Sequence, residues 1–270
     1  MSEPVKVVTI AGSDSSGGAG IQADEKVFHR YQLYPLHVIT SIVTQTPCEW
    51  THEVHPIDSE IVAKQLDTSL HGVGRIQALK TGLLPTIEIL ELVGKKLNEN
   101  KARLRYLVVD PVLNCKGDES DNLVETKKMV DGYVEHFLPL ATLVTPNLFE
   151  AGCLAKTSTP RTLEEIKQAA KIIQNYGVTY VVIKGFRESQ KSIDVLFDGW
   201  NFELIENDYI ETNFTHGTDC SFSSCCTAEL AKNPQQTIKQ VITNAKEYIT
   251  DQLRRSAFKL NDYVGTISHT

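Results

Sequence analysis

The stretch VKVVTIAGSDSSGGAGIQADEKVFHR, residues 5–30, decides the fold because its character changes twice within a short distance. Val5–Ile10 is a run of apolar and β-branched residues, which is typical of a strand buried on both faces of a parallel sheet. Residues 13–20 hold too much glycine for regular structure, and a helix is predicted from about Ile21 to Arg30. A strand, a glycine loop and a helix in this order form the first half of a βαβ unit.

The alternation of strands and helices continues along the chain. Strands are predicted near 36–44, 76–81, 106–110, 141–145 and 180–184, and helices near 59–71, 86–98, 122–137 and 162–175. A β-hairpin over 192–204 with an Asp198-Gly199 turn follows, and then two helices near 220–232 and 234–254. This pattern predicts an α/β fold with a mostly parallel central sheet and helices on both faces. Because no repeat, linker or low-complexity tract interrupts it, we predict one domain over residues 1–270.

The composition argues against several classes of protein. Lysine and arginine number 27 against 34 aspartates and glutamates, so the formal net charge is −7 and nucleic acid or an anionic membrane is not an expected partner. No apolar segment approaches the roughly 18 to 20 residues that span a bilayer, and the first residues lack a signal-peptide pattern. We therefore expect a cytoplasmic protein whose six cysteines are free thiols.

Polar residues and glycines stand at or just beyond the carboxyl ends of the predicted strands. Ligands of open parallel sheets bind at these ends, so the residues are expected to converge on one rim. They are Asp14, Gln45, Gly82, Asp110, Asn147, Lys184, Gly185 and the turn at Gly217. The glycines near Gly18 would let the backbone approach a ligand closely, and Asp14 would offer a carboxylate to a hydroxyl or a ring donor.

The segment THGTDC, residues 215–220, leads from a glycine directly into a predicted helix. The unpaired N–H groups of a first helical turn, together with the helix dipole, form an anion site, so a phosphate is predicted to react here. An ordinary helix start with Thr218 or Asp219 as N-cap explains the same residues, and the segment alone favours that simpler interpretation.

Two carboxylates and a lysine on the rim suit metal-assisted phosphoryl transfer. Asp110 offers oxygen ligands to Mg²⁺. Asn147 and Glu150 are three residues apart, and their spacing fits equally a metal-binding pair and a capping box at a helix start. Lys184, followed by Gly185, is predicted to place a cation on a nucleotide phosphate.

Seven segments in order resemble the ribokinase-like vitamin kinases, namely AGSD (11–14), GGAGIQAD (17–24), KTG (80–82), VDPV (109–112), TPNxxEA (145–151), VIKG (182–185) and HG (216–217). Within that family the chain is similar to hydroxymethylpyrimidine (phosphate) kinases and to bacterial pyridoxal kinases. The resemblance covers nearly the whole chain. It implies a three-layer αβα fold and an ATP- and Mg²⁺-dependent kinase that phosphorylates a hydroxymethyl group on a small heteroaromatic ring, commonly as a homodimer.

The resemblance also implies roles for single residues. Substrate binding falls to Asp14, Gly18, Gln45 and Gly82, ATP binding to Asn147, Lys184, Gly185 and His216, Mg²⁺ binding to Asp110 and Glu150, and the anion hole to the Gly217 and Thr218 amides.

Two cysteines carry the chemistry that the resemblance implies. Cys220 stands where this branch of the family has a cysteine, and a thiol at a helix N-terminus has a lowered pKa, so we expect it to be a base or to orient the hydroxyl. Cys115 lies in a segment that reads as a lid and matches the cysteine that adds to the pyridoxal aldehyde in pyridoxal kinases. Hydroxymethylpyrimidine has no aldehyde, whereas Gln45 matches the glutamine of the pyrimidine kinases.

The predicted substrate is therefore pyridoxal, together with pyridoxine and pyridoxamine, in vitamin B6 salvage. The alternative is the hydroxymethylpyrimidine/phosphomethylpyrimidine kinase of thiamine biosynthesis.

Asp219 departs from the family pattern, which has glycine at this position. A carboxylate about 4 Å from a phosphate charge would cost roughly 4 kcal/mol at an effective dielectric constant near 20. We expect Asp219 to point away as an N-cap; metal binding and a role as the base are the alternatives. The same residue motivates a rival prediction of another class, a non-catalytic vitamin-binding protein.

Overall fold

The structure is a computed structural model that describes residues 3–113 and 123–269. Its strands are β1 (Lys6–Asp14), β2 (Tyr34–Gln45), β3 (His52–Pro56), β4 (Ala78–Thr81), β5 (Leu107–Val109), β6 (Leu143–Val144), β7 (Tyr180–Glu188), β8 (Lys191–Phe197), β9 (Phe202–Asp208), β10 (Ala257–Lys259) and β11 (Gly265–Ile267). Its α-helices are α1 (Gly20–Arg30), α2 (Ser59–His71), α3 (Ile87–Glu99), α4 (Leu123–His136), α5 (Leu148–Leu154), α6 (Leu163–Gln174), α7 (Thr218–Lys232) and α8 (Ile238–Arg255).

A nine-stranded sheet runs through the described part of the chain in the order β3-β2-β1-β4-β5-β6-β7-β8-β9. The pairs from β2 to β7 are all parallel, whereas β3 at one edge and β8 and β9 at the other are antiparallel. Strands β10 and β11 form a separate antiparallel pair. The prediction of a mostly parallel α/β sheet is confirmed.

Helices cover both faces of this sheet because both faces of its central strands are apolar. In β5, Leu107 and Val109 pack into one core with α2, α3, α4 and α6, and Val108 between them packs into another with α1, α7 and α8. Successive side chains of a strand point to opposite faces, which explains the division. The result is a three-layer αβα arrangement.

Several elements differ from the sequence predictions. β3 and the β10–β11 pair were not predicted as strands, and β9 begins at Phe202. Residues 198–201 form a longer loop than the expected Asp-Gly turn, because the Asp198 carboxylate accepts hydrogen bonds from the Trp200 and Asn201 amides. α8 begins at Ile238, with the Thr237 hydroxyl capping it, and not near 234.

In the ranges 3–113 and 123–269, no helix combines the length and the apolar character that crossing a membrane requires.

Candidate active site

Two glycine segments meet at the carboxyl ends of β1 and β4. Gly217 has φ +80, and a Cβ there would lie 1.8 Å from the Gly18 carbonyl oxygen. A Cβ on Gly18 would lie 2.5 Å from the His216 ring. Only glycine permits this close approach, which brings the loop after β1 against the start of α7.

The cap of α7 is Gly217 itself, so the prediction that Thr218 or Asp219 caps the helix is wrong. The Thr218 amide and hydroxyl both donate to the Thr215 carbonyl, at 3.3 and 2.9 Å. This turn tightens the first residues of α7. A role for the Gly217 and Thr218 amides in an anion hole stays a prediction.

Asp14 is buried, and its carboxylate accepts hydrogen bonds from four neighbouring residues. The donors are the Ser16 amide and hydroxyl (2.9 and 2.8 Å), the Ala19 amide (2.8 Å), the Gln45 side-chain amide (2.7 Å) and His216 Nε2 (2.8 Å). Burial alone would raise the pKa of Asp14, but the hydrogen bonds from His216 and Ser16 hold it well below its usual range. The carboxylate is therefore a fixed negative charge at the cleft.

His216 lies on this side of the site, although the resemblance implied that it binds ATP. Besides Asp14, its ring contacts the Ser16 hydroxyl at 3.2 Å and lies 5.7 Å from the His52 ring. The Thr266 hydroxyl of β11 donates to its carbonyl at 2.9 Å. His216 thus links the loop after β1 to the C-terminal strand pair.

The environment of Cys220 contradicts the expected thiolate. Burial raises the pKa of the Cys220 thiol to about 12, and the nearby carboxylates Asp24 and Asp110 act in the same direction. The Lys80 ammonium and a hydrogen bond from the Gly20 backbone lower the pKa, but they do not outweigh burial. Cys220 is a neutral thiol near neutral pH, and the prediction of a lowered pKa is wrong.

A buried ion pair beneath the glycine segments was missed in the sequence. The Lys80 ammonium lies 2.8 Å from the Asp24 carboxylate, and both side chains are fully buried. Asp24 also accepts hydrogen bonds from the Thr9 and Ser224 hydroxyls, each at 2.6 Å. Val27 and Phe28 follow Asp24 at helical spacing and are buried, so Asp24 lies on the apolar face of α1. A carboxylate on an apolar helix face was the sequence signal that could have predicted a buried ion pair.

Lys184 lies in the middle of β7, where the register with β8 shifts between Ile183 and Phe186, and it is surrounded by three carboxyl side chains. Its ammonium is 3.4 Å from Asp110 and 3.0 Å from Asp219, and it lies 5.5 Å from the Phe222 ring centre. Burial would lower the pKa of Lys184, but Asp110, Asp219 and Glu150 together raise it, so the ammonium stays charged.

Asp219 points into the site and pairs with Lys184, so the expectation that it points away as an N-cap is wrong. Gly217 takes the cap position, and the Asp219 carboxylate pairs with the Lys184 ammonium of β7 at 3.0 Å. The Asp219 side chain is 57% exposed, whereas that of Asp110 on the other side of the lysine is 2% exposed.

Asp110 and Glu150 are buried and repel each other. Burial raises the pKa of Asp110, although Lys184 and Lys80 oppose it, and burial with the Asp110 charge raises the pKa of Glu150 to about 8. Asn147 and Glu150 form the capping box of α5, with hydrogen bonds of 2.9 Å in both directions. The box is confirmed, and it leaves Glu150 close enough to Asp110 for their charges to interact.

Two adjoining clefts gather most of the predicted residues. The first is lined by residues that include Asp14, Asp110, Asn147, Glu150, His216, Gly217 and Cys220. The second is lined by residues that include Lys184, Gly185 and Thr218. Thr215 and Asp219 line both. The start of α7 and the middle of β7 therefore open onto one continuous site.

Three predicted residues, Gly18, Gln45 and Gly82, line neither cleft. Gly82 packs below the cleft, where an added Cβ would lie 3.0 Å from Ala11, and Leu83 lines the cleft in its place. Gln45 reaches the site through its hydrogen bond to Asp14. Cys115 falls outside the described residues.

The mostly parallel sheet between two helical layers, with the glycine-capped helix α7 and Lys184 at one rim, is the arrangement of a ribokinase-like phosphotransferase. Enzymes of this class transfer a phosphoryl group to an alcohol. The chain belongs to the phosphomethylpyrimidine kinase family, whose model matches residues 14–268. It is 44% identical to a pyridoxine kinase from Bacillus subtilis, over 98% of this chain and 96% of that protein. It is 35% identical to the hydroxymethylpyrimidine/phosphomethylpyrimidine kinase of the same organism, over 93% and 90%.

Solved structures agree with this assignment. The crystal structure of an ADP complex of Bacillus subtilis pyridoxal kinase superposes with a TM-score of 0.91 at 42% identity, covering 99% of this chain and 98% of that one. The pyridoxal kinase from Staphylococcus aureus in complex with AMP-PCP and pyridoxal gives 0.89 at 35% identity, covering 99% and 94%. The predicted family, fold and kinase class are confirmed.

Proposed function

We propose that the protein transfers a phosphoryl group from ATP to the 5′-hydroxymethyl group of pyridoxal, and also of pyridoxine and pyridoxamine, in vitamin B6 salvage. The observation that carries the proposal is the meeting of the two clefts at Thr215 and Asp219, beside Cys220. A ring bound near Asp14 and a triphosphate bound near Lys184 would face each other there. The 44% identity to a pyridoxine kinase supports the choice of ring.

The ring site rests on the ionised Asp14. Its carboxylate, held by Gln45 at 2.7 Å and His216 at 2.8 Å, offers a negative charge to a ring N–H or hydroxyl donor. Gln45 and His216 are thereby kept in fixed orientations at the edge of the cleft. We assign His216 to the ring and not to ATP because its ring contacts Ser16, Asp14 and His52, all on the Asp14 side of the site.

The transfer step depends on position and charge. Lys184 would neutralise phosphate charge, and Gly185, whose Cα faces open space in the second cleft, would let a phosphate approach the backbone. Phosphoryl transfer passes through a loose transition state that needs little early proton removal. A neutral Cys220 thiol therefore suffices to orient the substrate hydroxyl, and we propose that role for it.

Mg²⁺ fits the two buried carboxylates. No group of three or more metal-ligating side chains is present in residues 3–113 and 123–269, but Mg²⁺ commonly takes one or two carboxylates, waters and substrate phosphates. Burial raises the pKa values of Asp110 and Glu150, and the Asp110 charge raises that of Glu150 further, so a bound cation would stabilise both ionised forms. These two residues would hold the ion, which supplies neutralisation of phosphate charge when bound.

Hydroxymethylpyrimidine is the alternative substrate, supported by Gln45 beside Asp14 and by the 35% identical pyrimidine kinase. Steady-state kinetics on pyridoxal, pyridoxine and hydroxymethylpyrimidine should give the largest kcat/KM for pyridoxal. Cys115→Ala should reduce phosphorylation of pyridoxal far more than of the other two, because only pyridoxal carries an aldehyde. A wild-type preference for hydroxymethylpyrimidine would refute the B6 assignment, and equal losses would refute the role of Cys115.

The proposal includes a homodimer in the cytoplasm, where ATP is available. Light scattering coupled to size exclusion should give twice the chain mass of 30.1 kDa, and a monomer mass would contradict it.

A further inference from the structure

Asp219 is a charged residue that lines both clefts and pairs with Lys184. Its carboxylate lies 3.0 Å from the Lys184 ammonium, on the cleft-lining side of that lysine, and it lines both clefts. A nucleotide phosphate that binds Lys184 would contact the ammonium that Asp219 already contacts. The carboxylate and the phosphate therefore compete for one cation.

We propose that Asp219 is an affinity-determining residue that competes with nucleotide phosphates for Lys184 and so makes nucleotide binding depend on a divalent cation. This inference rests on the proposed kinase function and deepens it. Asp219 is not assigned a part in the transfer step itself.

The two aspartates that hold Lys184 differ in how they can respond to a phosphate. Asp110 is buried and also accepts hydrogen bonds from the Thr145 hydroxyl at 3.1 Å and the Ser223 hydroxyl at 3.2 Å. Asp219 is more than half exposed and can turn towards water. A phosphate would thus displace Asp219 and leave Asp110 in place. Without Asp219, Asp110 and the Phe222 ring still position the lysine.

The surrounding charge makes this competition costly for a bare nucleotide. Asp110 and Asp219 both pair with Lys184, so two carboxylates share one ammonium at this point. An unchelated nucleotide adds further negative charge, and like charges at close range repel. A divalent cation bound to the phosphates reduces that charge, so the penalty from Asp219 shrinks when the cation is present.

Calorimetric titration of ADP, with Mg²⁺ and with EDTA, tests the inference on wild type, Asp219→Asn and Asp219→Gly. Removing the carboxylate should tighten ADP binding in EDTA at least tenfold, and by a smaller factor with Mg²⁺. The matched control is Asp131→Asn, because Asp131 is a half-exposed aspartate 2.8 Å from Lys156 on the surface. The control should shift ADP affinity less than twofold.

Kinetics separate this role from a catalytic one. With Mg²⁺ present, Asp219→Asn should lower KM for ATP and raise kcat/KM. A fall in kcat with KM unchanged would overturn the inference, as would unchanged or weaker ADP binding in EDTA. If wild type binds ADP under neither condition, the proposed function fails together with the inference. Normal wild-type binding with no effect of the Asp219 variants refutes the inference alone.

Discussion

The buried Lys80–Asp24 pair gives the sharpest prediction about stability. Lys80→Met removes the ammonium and leaves a fully buried carboxylate whose remaining partners are the Thr9 and Ser224 hydroxyls. Breaking a buried pair from one side costs about 3–5 kcal/mol because an uncompensated charge remains. With unfolding entropies of about 2.1 cal/mol/K per residue, a chain of 270 residues should lose about 5–9 °C in Tm.

Differential scanning calorimetry at pH 7 measures this loss. The control is Lys156→Met, which breaks an ion pair of the same 2.8 Å length at the surface and should lower Tm far less, because solvent screens an exposed pair. The double variant Lys80→Met/Asp24→Asn should recover much of the Tm, since the amide carries no charge and still pairs with hydroxyls. A Lys80→Met loss no larger than that of Lys156→Met would refute the reasoning.

Three further predictions concern the site. Gly217→Ala should reduce kinase activity more than tenfold, because the added Cβ would lie 1.8 Å from the Gly18 carbonyl oxygen. The control Gly199→Ala should keep full activity, because Gly199 also has a positive φ (+95) but its added Cβ would meet no atom closer than 3.5 Å. Equal losses in the two variants would show that backbone strain, and not the close approach, is responsible. Iodoacetamide at pH 8, followed by mass spectrometry, should label exposed Cys48 well before the half-buried Cys220, because burial raises the pKa of the Cys220 thiol to about 12. Rapid labelling of Cys220 would contradict this raised pKa. The pKa of Glu150 is raised from 4.5 to about 8, so between these pH values the folded state holds a proton that the unfolded chain releases. The contribution of Glu150 to stability should therefore fall as pH rises from about 4.5 to 8. Glu150→Gln should flatten that part of the Tm–pH curve, and an unchanged curve would argue against the shift.

The main architecture was predictable because the parallel strands are apolar on both faces. The run Val5–Ile10 became the core of β1, and the strand ends gathered as expected. β3 was harder to predict: it is an edge strand with histidines and a glutamate, and it owes its conformation to pairing with β2. Such pairing is a tertiary effect that a short polar stretch does not indicate.

The errors in the site have one physical origin. The sequence shows that Cys220 and Asp219 stand at a helix start, but not what surrounds them across the fold. Burial decides the pKa of Cys220, and an ammonium from β7 decides where Asp219 points. The Asn147–Glu150 box was predictable because both partners are local.

The hydrogen bond between His216 and Asp14 joins residues 202 positions apart in the chain, and His216 is held in turn by Thr266, 50 positions further on. Closing such long loops is entropically unfavourable until much of the chain has already collapsed. The part of the first cleft that Asp14 and His216 line should therefore form late in folding, after β1 has paired with β2 and β4. On refolding, catalytic activity would then recover later than secondary structure. The return of activity would therefore mark the completion of folding.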